Sequence, residues 1–198
     1  MTLQEIEIQI QIQKFKKIVP TEITKTRWEH SIRVAEIAKE LAIIHCKEEA
    51  EFAYLAGIVH DITKQKTSEF HKTLFLESGQ DELEQLPSAA WHAYSGAIYL
   101  KSQYNLQNEK VLSAVRNHTL GSETPGSLDL ILYAADFLGS EYAERNPHYQ
   151  DWREQAKKNL YQGVLCKAKN TIEDLISSGK SIHPRTIFTY NLAVSKCF

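Results

Sequence analysis

Four of the eight histidines in this chain, His30, His60, His92 and His118, sit among aliphatic or small residues at helical spacing. Val34, Ile37 and Leu41 follow His30, Val111, Ala114 and Val115 precede His118, and His92 lies between Ala89, Ala93 and Gly96. Two aspartates share this setting. Asp61 follows His60 directly, and Asp136 ends the apolar run "LDLILYAAD" with no Lys or Arg beside it in sequence. An ionised carboxylate in apolar surroundings costs several kcal/mol unless a cation or strong donors meet it, and a buried imidazole also needs a partner. One such histidine is most often a hydrogen-bonded core residue. Six such groups together favour a shared divalent-metal centre, whose chemistry is the activation of water. Neighbouring residues on a helix project about 100° apart, so His60 can bind one ion while the Asp61 carboxylate bridges to a second.

The elements that must position these groups read as helices. Eight glycines and five prolines in 198 residues leave long uninterrupted segments, which argues against many short strands. Residues 5–15, "EIEIQIQIQKF", alternate like a half-buried strand. Glu, Gln and Lys nevertheless form helices well, and no second such run exists to pair with it, so a helix is expected, with a break at Pro20. Residues 25–45 form an amphipathic helix with His30 on its core side. A helix over 48–61 starts acidic, as the helix dipole prefers, and ends at the His60-Asp61 pair. A short helix from Thr67 or Ser68 stops at Gly79, and "QDELEQLP" is a polar connector. Helices over 88–103 and 108–118 carry His92 and His118. "GSETPGS" is a loop, Ser127 is expected to cap the helix of Asp136, and one helix is expected from about 150 to 178, followed by a short helical tail. The fold class is all-α. Trp28, Trp91 and Trp152 read as packing residues, with stacking of Trp91 on a base as the alternative.

Bulk properties exclude several functions. A formal charge of −2 supplies no basic field for nucleic acid. Cys46, Cys166 and Cys197 are odd in number and far apart, so neither a disulfide framework nor a thiolate zinc site is expected, which favours a reducing cytoplasm. The N-terminus lacks the pattern of a signal peptide, and no apolar run approaches the roughly 20 residues of a membrane helix. There is no P-loop, HExxH or GxSxG motif.

The order His30, His60-Asp61, Asp136 resembles the superfamily of metal-dependent phosphohydrolases named for its His-Asp (HD) pair. "RWEHSIRVA", "AGIVHDITK", "WHAYSGAIYL", "AVRNHTLG", "ILYAAD" and "SIHPRTIFTYN" occur in the order and spacing of its YqeK-type subgroup, over roughly residues 20–192. That subgroup comprises symmetrical bis(5'-nucleosyl)-tetraphosphatases, which cleave diadenosine tetraphosphate (Ap4A) into two ADP. The resemblance implies a single HD-type helical bundle over 20–198, with 1–19 as a helical extension, around a buried dinuclear centre. One ion would be held by His30, His60, Asp61 and Asp136, the other by Asp61, His92 and His118. The metals would be iron, although manganese or another divalent ion suits these ligands equally. A water bridging the two ions would attack the phosphoanhydride, with Asp61 and Lys64 as the catalytic residues. Lys64 and Arg27 would meet phosphate oxygens, the ordinary alternative for each being a solvated surface cation. The Thr119 hydroxyl and the free backbone N–H of Gly121 would touch substrate.

One stretch departs from the pattern. Where the subgroup carries Glu-Pro-x-Arg after the final Asp, this chain reads "DFLGSEYAERNP". Arg145 would then take the part of the displaced Arg in holding substrate, or the second nucleoside would be recognised differently. Alternatives to Ap4A hydrolysis are an HD-type nucleotidase or phosphatase acting on another nucleotide, and a metal-containing nucleotide sensor with little turnover. The expected partner is a small dinucleotide or nucleotide, not nucleic acid or membrane, and a homodimer is one open arrangement.

Overall fold

A computed structural model describes residues 3–198. Its elements are α1 (Leu3–Glu22), α2 (Lys25–His45), α3 (Ala50–Val59), α4 (Ser68–Glu77), α5 (Trp91–Tyr104), α6 (Glu109–Asn117), α7 (Ser127–Leu138), α8 (Glu141–Glu144), α9 (Tyr149–Lys158), α10 (Leu160–Ser177) and α11 (Pro184–Cys197). Short 3-10 turns at Lys47–Glu49, Asp81–Gln85 and Ser88–Ala90 join them. Among the described residues there is no strand, so the all-α expectation holds. No helix among them is long and apolar enough to cross a membrane.

The core gathers around α3 and α7. A helix that is apolar on all sides must be covered on all sides. Every residue of α7 except Ser127 and Asp136 is buried, as is every residue of α3 except Glu51 and Phe52. Helices α2 and α10 pack on α7, α1 and α2 on α3, α5 on α6, and α11 on α10. Gly57 makes the α2–α3 approach possible, because a Cβ there would lie 2.4 Å from the Ala35 Cα.

The alternating N-terminal segment is helical for a reason visible in its burial. Ile8, Ile12, Phe15 and Val19 form the buried stripe, whereas Ile6 and Ile10 face outward at 39% and 61% exposure. The expected break at Pro20 does not occur. The proline stands only two residues from the end of α1, where the missing N–H affects just the final turn. The boundary expected at 19/20 therefore falls inside a helix whose apolar side belongs to the main core.

Three further expectations are corrected. Gly126, not Ser127, is the N-cap of α7, and its N–H donates to Asp129 Oδ2 at 3.0 Å. The Ser127 hydroxyl instead donates to Glu49 at 2.6 Å. The helix expected over 150–178 is two helices, because extended Asn159 interrupts it and caps α10 by accepting from the Tyr161 N–H at 3.0 Å. The C-terminal helix α11 has 14 residues, longer than a short tail.

Candidate metal centre

Five helices each deliver one part of the site. His30 lies within α2, His92 in the first turn of α5 and Asp136 in the last turn of α7. His60-Asp61 stands just beyond α3, which ends at Val59 rather than at residue 61, and His118 stands just beyond α6. The turn after α3 is tight, with Ile62 N–H donating to Val59 O at 3.2 Å and Lys64 N–H to Asp61 O at 2.9 Å. His30, His60, Asp61, His92 and His118 are buried, and the Asp136 side chain is 23% exposed.

The six groups converge. Asp61 divides its two oxygens: Oδ1 lies 3.3 Å from His92 Nε2 and 3.7 Å from His118 Nε2. Its Oδ2 lies 3.3 Å from His60 Nε2 and 3.8 Å from His30 Nε2. Asp136 Oδ1 completes the first group, 3.2 Å from His30 Nε2 and 3.5 Å from His60 Nε2. In the second group, His92 Nε2 and His118 Nε2 are 3.0 Å apart. Ligand atoms about 2.1 Å from one ion, at octahedral to tetrahedral angles, stand roughly 3.0–3.4 Å apart, so most of these spacings suit a shared cation. The donor atoms of His30, His60 and Asp136 lie within 4.8 Å of one another, as do those of His60, Asp61 and His118.

Tautomers fit as well. The Nδ1–H groups of His30, His60 and His118 have backbone acceptors: Gly139 O at 3.2 Å, Gly57 O at 2.8 Å and Val115 O at 2.6 Å. Each bond leaves Nε2 as a lone pair aimed into the cluster, the usual arrangement behind a metal-binding imidazole. His30 Nε2 and His60 Nε2 are buried with no hydrogen-bond partner. A divalent cation is the group that such orphaned acceptors, set against two carboxylates, would receive.

Charge reinforces the picture. Burial alone would raise both carboxylates, yet Asp61 is held well below the usual range, first by His60 and then by His92 and His118. Asp136 is likewise held down against burial by Lys167, His30 and His60. Burial would lower His60, but Asp61 and Asp136 push it up to about 10, so the carboxylates draw positive charge to this point. Burial pushes His92 down to about 3, with Asp61 opposing and Lys64 assisting. His118 is also well below its usual value, through burial and then His92 and His60. His92 and His118 are thus held in the neutral form a metal needs, and at His60 a cation would take the place of the proton that the two carboxylates favour.

The expected substrate contacts separate into two sets. Arg27 Nη1 reaches Asp61 Oδ2 at 3.1 Å, Lys64 Nζ stands 3.3 Å from His92 Nε2, and Thr119 Oγ1 is 3.3 Å from the same nitrogen. Arg145 does not join them: its side chain is 81% exposed and its guanidinium is paired with Glu141 at 3.2 Å. The Gly121 N–H is not free either, since it donates to Asn117 O at 2.9 Å. Glycine is needed there because φ is +80° and a Cβ would lie 1.9 Å from Thr189 Oγ1. Trp91 is buried and donates to Leu86 O at 2.9 Å, a packing role rather than a base platform.

Two residues escaped the sequence reading. Arg33 lines a cleft of about 360 Å³ with Arg27, His30, Thr24, Gln65 and Ser140, a volume within the range of small-molecule sites. Its place one turn after His30 was a usable signal. Lys167 on α10 reaches Asp136 Oδ2 at 2.6 Å, so Asp136, isolated from Lys and Arg in sequence, has a cation beside it in space.

Known proteins resemble this chain over most of its length. The HD domain family model matches residues 27–168. "Bis(5'-nucleosyl)-tetraphosphatase, symmetrical" of Halalkalibacterium halodurans is 31% identical over 179 residues, 90% of this chain and 94% of that protein. The Bacillus subtilis protein of the same name is 30% identical over 179 residues, 89% of this chain and 94% of its own length. A crystal structure of a predicted HD superfamily hydrolase involved in NAD metabolism from Clostridium acetobutylicum superposes with a TM-score of 0.83 at 28% identity, covering 92% of this chain and 96% of that one.

Proposed function

The chain belongs to the HD domain family, and on that premise we propose that it is a metal-dependent hydrolase splitting Ap4A symmetrically into two ADP. The names of the H. halodurans and B. subtilis relatives support the substrate. The observation that carries the chemistry is the division of Asp61, one oxygen turned to His30 and His60 and the other to His92 and His118.

Two divalent ions, iron or manganese, are proposed. His30, His60, Asp61 and Asp136 would hold one, and Asp61, His92 and His118 the other. When bound, such a pair supplies Lewis acidity toward phosphate oxygens and lowers the pKa of water. The protein's own contribution is orientation and charge. The backbone acceptors Gly139 O, Gly57 O and Val115 O fix three imidazoles with Nε2 inward. Lys64, exposed and 3.3 Å from His92 Nε2, would offer its ammonium to the phosphoryl group as negative charge builds there. Arg27 and Arg33 face the adjoining cleft and would pair with the remaining polyphosphate. Thr119 adds a hydroxyl at the rim of the second group. No side-chain nucleophile is required.

Protein purified without chelator, supplied with Mn²⁺ or Fe²⁺ and given Ap4A, is expected to release ADP alone. ATP plus AMP would refute central cleavage while leaving the metal reading in place. Metal binding without turnover would favour a sensor.

A further inference from the structure

Lysine is almost never fully buried unless it is paired. Lys167 is 7% exposed, in the middle of α10, and all of its polar reach is spent in one place. Its Nζ donates to Asp136 Oδ2 at 2.6 Å and to the His118 backbone carbonyl at 2.7 Å, and lies 4.5 Å from the centre of the Tyr133 ring. The ammonium thus touches α7 and the end of α6, joining one acid from the first group of metal-facing side chains to the backbone of an imidazole from the second.

We propose that Lys167 is a positioning residue that makes Asp136 a one-oxygen ligand and ties the two halves of the metal centre together. The inference rests on the metal-centre reading above. With Oδ2 held by the ammonium, only Oδ1 remains for a cation, and that oxygen is the one 3.2 Å from His30 Nε2 and 3.5 Å from His60 Nε2. A free carboxylate one methylene from the backbone could rotate to offer either oxygen or both. The Lys167 bond removes that freedom, and packing on Tyr133 restricts the lysine in turn. The bond to His118 O fixes the backbone from which the His118 ring projects. Lys167 itself contacts neither a metal-facing nitrogen nor the open cleft beside His30. Its effect must therefore pass through Asp136 and His118. Loss of an outer partner that orients a ligand typically weakens metal binding about 10–100-fold.

The test is Mn²⁺ affinity of the metal-stripped full chain by equilibrium dialysis, with folding followed by circular dichroism. Lys167→Met is expected to weaken Mn²⁺ binding about 10–100-fold, and Lys167→Arg, which keeps a cation, to lie between Met and wild type. In an Asp136→Ala background the additional loss from Lys167→Met should shrink to less than half. Wild-type affinity in the Met variant, or an undiminished effect without Asp136, would overturn the proposal. If the Met variant fails to fold, Lys167→Gln against Lys167→Arg decides: graded loss supports the role, and two affinities equal to wild type refute it. Wild-type protein that binds neither Mn²⁺ nor Fe²⁺ would refute the metal centre itself, a different result from unchanged affinity in the variants.

Discussion

His60 and His118 occupy the same position on two different helices. Each follows the last residue of its helix, each turns Nδ1 back onto the carbonyl three residues earlier, and their rings meet edge-on, with centroids 5.0 Å apart and planes at 86°. The helix end is well suited to this. Its last carbonyls lack intrahelical donors, so an imidazole that satisfies one is locked with its other nitrogen outward. Two such ends from α3 and α6, placed around Asp61, give the centre its rigid half.

Because Asp61 faces both pairs of histidines, its removal should affect both proposed ions. For Asp61→Ala we expect metal content well below wild type and a fall in ADP release of at least ~10²-fold. Elemental analysis and an initial-rate assay on the same preparation check this. Unchanged activity would refute the bridging role.

Lys64 is exposed and is none of the proposed ligands, its Nζ standing 3.3 and 3.4 Å from the two ring nitrogens of His92, so its loss should separate catalysis from binding. Lys64→Ala is expected to keep its metal and lose about 10²-fold in kcat. A loss of metal with unchanged kcat per metal would instead make Lys64 a structural neighbour of His92.

What the sequence made legible follows from how local each signal is. His30, His60 and His118 lie on stripes whose apolar neighbours are three or four residues away, so burial and direction could be read directly. The Lys167–Asp136 pair spans 31 residues, and Lys167 lies beside Val164 and Ala168 as any lysine with a packed stem would. Nothing local marks it. Ser127 carried a real capping signal but is drawn to Glu49, 78 residues earlier, which leaves the cap to Gly126. Asn159 sits in a continuous helical pattern and breaks it only by adopting an extended conformation.

Arg33 and Arg145 offer a contrast. Arg33 lines the cleft beside His30, while Arg145 points to solvent and pairs with Glu141. We expect Arg33→Ala to raise KM for Ap4A about 10-fold, the loss of one charge-assisted contact, and Arg145→Ala to leave KM and kcat unchanged. Steady-state kinetics of the two variants side by side decides; the reverse result would return the polyphosphate contact to Arg145.

Gly57 tests how tightly α2 and α3 must meet. A methyl at this position would approach backbone atoms of Ala35 at 2.4 and 2.6 Å, which no side-chain rotation relieves. Gly57→Ala should lower stability by about 1–3 kcal/mol, read as a lower Tm of metal-free protein. It should also weaken Mn²⁺ binding, because Gly57 O anchors the His60 ring. A wild-type Tm would mean that the two helices separate without cost.

Glu22 ties α1 to the bundle by charge. Its carboxylate accepts from Lys66 at 2.7 Å and from Tyr104 at 2.5 Å. Burial would raise its pKa, but Lys66, Tyr104 and Tyr99 together outweigh burial and hold it below 4.5. A carboxylate whose pKa is lower folded than unfolded binds protons more readily when unfolded. Its stabilisation is therefore complete above the unfolded pKa and lost as pH falls through the folded one. Glu22→Gln should have a lower Tm than wild type at neutral pH, and the gap should close in acid below the folded pKa. Thermal unfolding of both proteins across that range measures it. A gap independent of pH would assign the effect to hydrogen-bond shape rather than to the ionised carboxylate.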